Sequence, residues 1–232
     1  MTADGVEVAE WLTRHLGQHR VILIGHSWGS LLAEHMVFAC PELFSAYVGT
    51  GQFVSWSAIT NEQYSYTLAR AKAENDANTL AAIRAVGAPP FDDAGRYRRF
   101  RTIMRRYLAP ADLAFSSSQV GQLLTSPRAS LVDIWNALQG ARVSVAALTP
   151  TLLEADIARL GYDSPVPFVI IQGVDDRISP TKLADEYFTR IRAPAKALVH
   201  IQNGGHYSFV TNAAEFRRAL ITEVLPLTEA SH

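Results

Sequence analysis

Residues 21–39, VILIGHSWGSLLAEHMVFA, pass from a β-branched apolar run through Gly25-His26-Ser27-Trp28-Gly29 into a segment of helical composition. The run at 20–24 lacks apolar–polar alternation, which suits a parallel strand buried on both faces. Residues 27–39 read as a helix stopped by Cys40-Pro41. A serine between two glycines at a strand-to-helix junction fits G-x-S-x-G, in which a sharp turn presents the hydroxyl at the carboxyl end of the strand. Gly25 and Gly29 then have a steric purpose, because side chains there are expected to collide around a serine in a strained conformation. The same turn aims the Trp28 backbone N–H at the helix start, where it can support an oxyanion.

The remaining pattern supplies a sheet for this junction. Residues 46–49, 167–172 (PFVIIQ) and 197–202 (ALVHIQ) read as further strands, and 181–192 and 213–225 as helices. Ahead of them, Asp4 and Glu7 resemble a capping box on a helix that Gly17 terminates. Strands alternating with helices predict an α/β fold with a mainly parallel sheet. From 55 to 164 no convincing strand occurs, and a structureless loop of that length is rare. Helical periodicity recurs at 64–74, 79–86, 96–108 and 129–138, punctuated at 87–90, 116–118 and 149–150. The expected organisation is a core of residues 1–55 and 165–232 with a helical insertion at 56–164.

A serine hydroxyl is a weak nucleophile that needs a base, and the base needs a third group to hold its tautomer. His206 is best placed, in Asn203-Gly204-Gly205-His206-Tyr207 directly after the last predicted strand. Either Asp175 or Asp176, following the strand at 167–172, could orient it. A formal net charge of −1 provides no field to recruit nucleic acid or an anionic membrane. The single cysteine, Cys40, excludes an intramolecular disulfide framework and a Cys-based zinc site. No metal constellation or phosphate-binding glycine loop is present, and Ser–His–Asp acyl transfer requires no cofactor. With no signal-peptide pattern and no bilayer-length apolar stretch, a cytoplasmic protein is expected.

The segments ILIGHSWGSLLAEHMVFACPELFSAYVGTGQ, FVIIQGVDDRISP and IQNGGHYSF resemble the α/β-hydrolase superfamily, in particular its prolyl iminopeptidase-like and capped-esterase branch. The order Ser27, Asp176, His206 is that of the superfamily's triad. Asp176 is preferred over Asp175 because Gly173, Asp176 and Pro180 match the family pattern around the acid. The resemblance implies that the insertion is a cap over the triad, with Phe100, Met104 and Tyr107, beside Ile103 and Leu108, lining a substrate pocket or simply packing the cap. Arg96, Arg98, Arg99, Arg101, Arg105 and Arg106 form a solvated face or a carboxylate-binding one, and Glu62, Glu74, Asp76 and Asp133 are candidates to meet a substrate amine. Two departures stand out. His26 occupies a position where iminopeptidases usually carry a second glycine. About 20 residues precede the nucleophile strand, where the family has four strands and a second oxyanion donor. The fold expected is therefore a truncated α/β-hydrolase fold whose exposed edge at 20–24 pairs with a second copy, giving a homo-oligomer. The function expected is a serine hydrolase of carboxylic esters, acting on a small-molecule or short peptide-like substrate. The alternatives are an aminopeptidase with the same triad and a non-catalytic binding or assembly module.

Overall fold

The computed structural model describes residues 1–91 and 93–229. Four parallel strands form one sheet in chain order: β1 (Val21–His26), β2 (Phe44–Thr50), β3 (Phe168–Gly173) and β4 (Lys196–Ile201). Val169, Ile170 and Ile171 of β3 are completely buried, as expected for apolar strands covered on both faces. Alternation divides their side chains between two layers. Ala46, Val48, Val169 and Ile171 pack with Phe216 and Ala219 of α10 (Ala213–Ala219). On the opposite parity, Tyr47 stacks on Phe168 with centroids 4.5 Å apart, and Phe168 meets Tyr187 of α8 (Thr181–Arg190). Each of the Val, Ile and Phe side chains stabilises the fold by roughly 1.5–3 kcal/mol when fully buried. The strand β1 stands at one end of the sheet, and its Ile24 is 47% exposed.

Two helices flank β1. The first, α1 (Thr2–Leu16), ends at Gly17, whose φ of 62° lets its N–H close on the Arg14 and Thr13 carbonyls. The expected Asp4–Glu7 capping box does not form. The helix begins at Thr2, which places Asp4 inside its first turn, where the carboxylate pairs with the Met1 amino group at 3.0 Å. The second, α2 (Trp28–Ala39), packs on β1 and β2. The closing helix expected over 213–225 is interrupted: after the short α9 (Ser208–Thr211), α10 passes through a π-helical turn, Leu220–Val224, into α11 (Leu225–Glu229).

The chain divides into two compact units, Met1–Ser55 with Asp156–His232, and Trp56–Ala155. The first carries the sheet. Residues 156–164, which the sequence places in the insertion, cluster with this first unit. Asp156 bridges to Ser55, and the Ser164 N–H donates to the Arg192 carbonyl at 2.7 Å. The second unit is helical: α3 (Trp56–Ala73), α4 (Ala77–Val86), α5 (Ala94–Met104), α6 (Pro110–Thr125) and α7 (Leu131–Leu153). Asp76 and Asp93 cap α4 and α5, and Ser130 with Asp133 forms a capping box on α7. Two predicted breaks lie inside helices. The hydroxyls of Ser116, Ser117 and Ser118 bond back to carbonyls of the preceding turn of α6, so these serines continue the helix. Pro150 falls in the last turn of α7, where its missing N–H removes a single bond from the ladder. Among the described residues no helix is long and apolar enough to cross a membrane.

Candidate active site

Ser27 joins β1 to α2 with φ 55° and ψ −124°. A non-glycine residue in this region costs of order 1–3 kcal/mol and persists only where its surroundings over-determine it. They do so here. Its N–H donates to the Thr50 carbonyl at 2.9 Å, tying the turn to the end of β2. Its carbonyl accepts the Ser30 N–H at 2.9 Å and the Ser30 hydroxyl at 2.6 Å. Ser30 Oγ accepts in turn from the Phe53 N–H at 2.9 Å.

The two glycines of the motif differ. A Cβ on Gly25 would lie 2.6 Å from both the Gly29 carbonyl oxygen and the Ser30 Cα, so the strand can approach the helix only without a side chain. The steric need expected at Gly29 is absent: a Cβ there would meet nothing within 4 Å, because its position in the first turn of α2 faces open space.

His206 follows β4 in the Gly204-Gly205 loop and is 3% exposed. Its Nε2 lies 3.0 Å from Ser27 Oγ and its Nδ1 lies 2.9 Å from Asp176 Oδ2. Asp176 is fully buried, and its Oδ1 accepts the Ile178 and Ser179 N–H groups at 2.8 Å each. Asp175 is exposed and contributes its backbone, donating its N–H to the Gly204 carbonyl at 2.8 Å. Of the two aspartates left open by the residue pattern, Asp176 is the one that meets His206. Trp28 is the first residue of α2, so its N–H is among those that no carbonyl of the helix accepts.

A second imidazole stands beside the first. The ring of His26 lies 4.6 Å from those of both His206 and Phe209. Burial, reinforced by the proximity of His206, pushes the His26 pKa down to about 4, so His26 is a neutral packing partner at ordinary pH. Space for the pair depends on Gly51, a residue the sequence reading passed over. Its φ is +52°, and a Cβ on it would stand 2.8 Å from His206 Cε1 and 3.0 Å from His26 Cε1. The Gly-Thr-Gly-Gln run at the end of β2 was the available signal.

Behind this line lies a buried polar cluster that the sequence reading also missed. Glu34 of α2 accepts the Tyr187 hydroxyl at 2.7 Å and Gln52 Nε2 at 2.9 Å. Its burial raises its pKa to about 8, above the ordinary carboxyl range despite these hydrogen bonds.

The pocket candidates lie in the helical unit. Phe100 and Met104 are completely buried within the helical unit, where Phe100 stacks on Phe91 at 5.1 Å, and Tyr107 packs with Ala71 and Ile83. Their described contacts are packing contacts within that unit. Arg96 donates to the Val86, Ala88 and Pro90 carbonyls, while Arg98, Arg99, Arg105 and Arg106 are exposed. Of the acids considered for a substrate amine, Glu74 pairs with Arg70, Asp76 with Arg106, and Asp133 caps α7. Among the described residues no three His, Cys, Asp or Glu side chains gather as a metal site.

A serine on a strained strand-to-helix turn, in line with a histidine and a buried aspartate from the loops after the last two strands, β4 and β3, defines a nucleophile-elbow architecture. The chain belongs to the alpha/beta hydrolase fold family, whose model matches residues 2–213. It is 27% identical over 219 residues to the probable aminopeptidase YbaC of Bacillus subtilis (strain 168), covering 94% of this chain and 69% of that protein. Among solved structures it is similar to proline iminopeptidase from Mycobacterium smegmatis, with a TM-score of 0.56 and 14% identity over 100% of this chain and 74% of that one. It is likewise similar to MGS-M2, an alpha/beta hydrolase from a Medee basin deep-sea metagenome library, with a TM-score of 0.55 and 19% identity over 93% and 68% of the two chains. At these identities the structural likenesses establish the fold.

Proposed function

We propose that this protein is a serine hydrolase that cleaves carboxylic esters through an acyl-enzyme on Ser27. The observation that carries the reading is the unbroken line Ser27 Oγ–His206–Asp176, at 3.0 and 2.9 Å, beside the N-terminus of α2. Ser27 Oγ attacks the acyl carbon and its proton passes to His206 Nε2, while Asp176 orients the imidazole through Nδ1. The tetrahedral oxyanion accepts from the Trp28 N–H, and a donor of this kind contributes about 10²–10³ in rate. Collapse breaks the bond to the leaving group, which takes the proton from Nε2. Water then attacks the acyl-enzyme with His206 as base, releasing the acid and regenerating the serine.

A second reading, an aminopeptidase using the same three residues on an amide bond, is favoured by the name of the Bacillus subtilis relative, which aligns with 94% of this chain. A fluorophosphonate probe tests the shared chemistry. Labelling of the wild type that is lost in Ser27→Ala is expected, and an unlabelled wild type refutes both readings. Nitrophenyl esters assayed against proline arylamides then separate them: turnover of the arylamides alone selects the peptidase.

A further inference from the structure

Among the described residues the Asp176 carboxylate accepts four hydrogen bonds. The two on Oδ1 come from Ile178 and Ser179, within its own loop, and an aspartate at this turn would make them whatever lay behind it. Oδ2 is different. It meets His206, and it accepts at 3.0 Å from Nε2 of Gln172, which comes from β3 itself. Gln172 is completely buried, and its carboxamide is held at both ends. Nε2 also donates to the Ser179 carbonyl at 3.0 Å, and Oε1 accepts the Gln52 N–H at 3.0 Å.

Gln52 is anchored in its turn. Its side chain donates to Glu34 Oε1 and to the Phe53 carbonyl at 2.8 Å, and accepts the Tyr47 hydroxyl at 2.7 Å. A carboxamide can flip, exchanging donor for acceptor, and the Gln52 N–H on Oε1 admits only the orientation that points Nε2 at Asp176.

We propose that Gln172 is a positioning residue for the acid of the triad, with the Gln52 backbone N–H selecting the orientation in which it acts. Gln172 fixes the lone pairs of Asp176 Oδ2, so that one faces the Nδ1–H of His206. The loop after β2, which also supplies Gly51 beneath His206, thereby sets the alignment of the loop after β3. This inference rests on the Ser27–His206–Asp176 reading above.

The alternative is that Gln172 merely satisfies buried groups, as most interior polar side chains do. In that case its loss lowers stability and leaves the chemistry of the folded protein alone. Gln172→Met keeps the length and removes both amide groups. For folded Q172M, kcat on a nitrophenyl ester is expected to fall about ten- to a hundredfold, the range for losing one hydrogen bond to a charged group, with KM changed far less. The acid limb of the pH profile of fluorophosphonate labelling is expected to move to higher pH, because Oδ2 freed of a donor favours the protonated imidazole more strongly.

Gln172→Glu provides a second test if the methionine variant does not fold. In its neutral form the new carboxyl can donate to Oδ2 and still accept from Gln52; in its charged form it opposes Asp176. Labelling by Q172E should therefore fall with rising pH where the wild type does not. The titratable groups facing this region are Asp176, His206 and His26 on one side and Glu34, Tyr47 and Tyr187 on the other, all retained in both variants. Wild-type kcat and pH profile in folded Q172M, or in Q172E if Q172M fails to fold, overturn the positioning role. An unlabelled wild type instead overturns the triad reading beneath it.

Discussion

Glu34→Gln should stabilise the protein, and by an amount that grows with pH. Glu34 is 1% exposed on α2, where the Tyr187 and Tyr47 hydroxyls and the Gln52 amide face it, with no cation among the described hydrogen bonds and ion pairs around it. Its pKa rises from 4.5 to about 8 on folding, because burial opposes the charged form more than the hydrogen bonds favour it. Between those two values the folded state holds a proton that the unfolded state has lost. Wild-type stability from this group therefore falls as pH rises from about 4.5 to about 8, then levels off. At about 1.4 kcal/mol per unit, the whole displacement is on the order of 5 kcal/mol, a large fraction of the 5–15 kcal/mol typical of a domain. Glutamine reproduces the neutral acid: its oxygen accepts from Gln52 and its amide donates to Tyr187. Urea denaturation of both proteins at pH 5, 6, 7, 8 and 9 would measure the effect. The stability difference between E34Q and wild type should be small at pH 5, widen by up to about 1.4 kcal/mol per unit and level off near pH 8–9. A difference independent of pH would show that Glu34 does not exchange its proton on folding and would refute the reasoning.

Gly51→Ala should abolish most activity, since the new methyl must displace the His206 and His26 rings from 2.8–3.0 Å contacts and the left-handed backbone adds about 1–2 kcal/mol of strain; fluorophosphonate labelling slowed by about 10² or more is the expected readout. The two elbow glycines should separate: Gly25→Ala should lower the yield of folded protein, while Gly29→Ala should fold and label, as circular dichroism with the same probe would show. His26 binds its proton more weakly folded than unfolded, so its contribution to stability is lost as pH falls from about 6.5 to about 4; replacing it by phenylalanine should flatten the acid side of a pH–Tm curve.

Much of this architecture was legible because local physics repeats it. The β-branched runs at β1 and β3 have few alternatives to a buried parallel strand, and Gly25-x-Ser27-x-Gly29 between strand and helix admits a narrow set of turns. Misreadings occurred where one residue type serves two environments. Ser116–Ser118 looked like a loop because serine competes for backbone hydrogen bonds, yet hydroxyls bonding to the preceding turn are compatible with a helix. The apolar spacing of Phe100, Met104 and Tyr107, by contrast, left pocket lining and core packing both open, because it is the same for either.

Gln172 and Glu34 were opaque for a deeper reason. Glutamine at the end of an apolar strand and glutamate in a helix carry no distinctive pattern, and their partners lie 120 and 153 residues away in the chain, at Gln52 and Tyr187 respectively.

From the sequence alone came Ser27 and His206, the pair Asp175-Asp176 between them in chain order, the parallel βα scaffold that presents them, and the location of the long helical segment. These follow from short-range rules, in which a residue and its near neighbours settle what the backbone can do. Only the tertiary structure decided which of two adjacent aspartates meets the histidine, why Gly51 must lack a side chain, and that a buried network of Glu34, Gln52 and Gln172 stands behind Asp176. Those are matters of distance between segments far apart in sequence. They depend on how closely strands and helices approach when the core packs, and the hydrogen bonds that result exist only once water has been excluded.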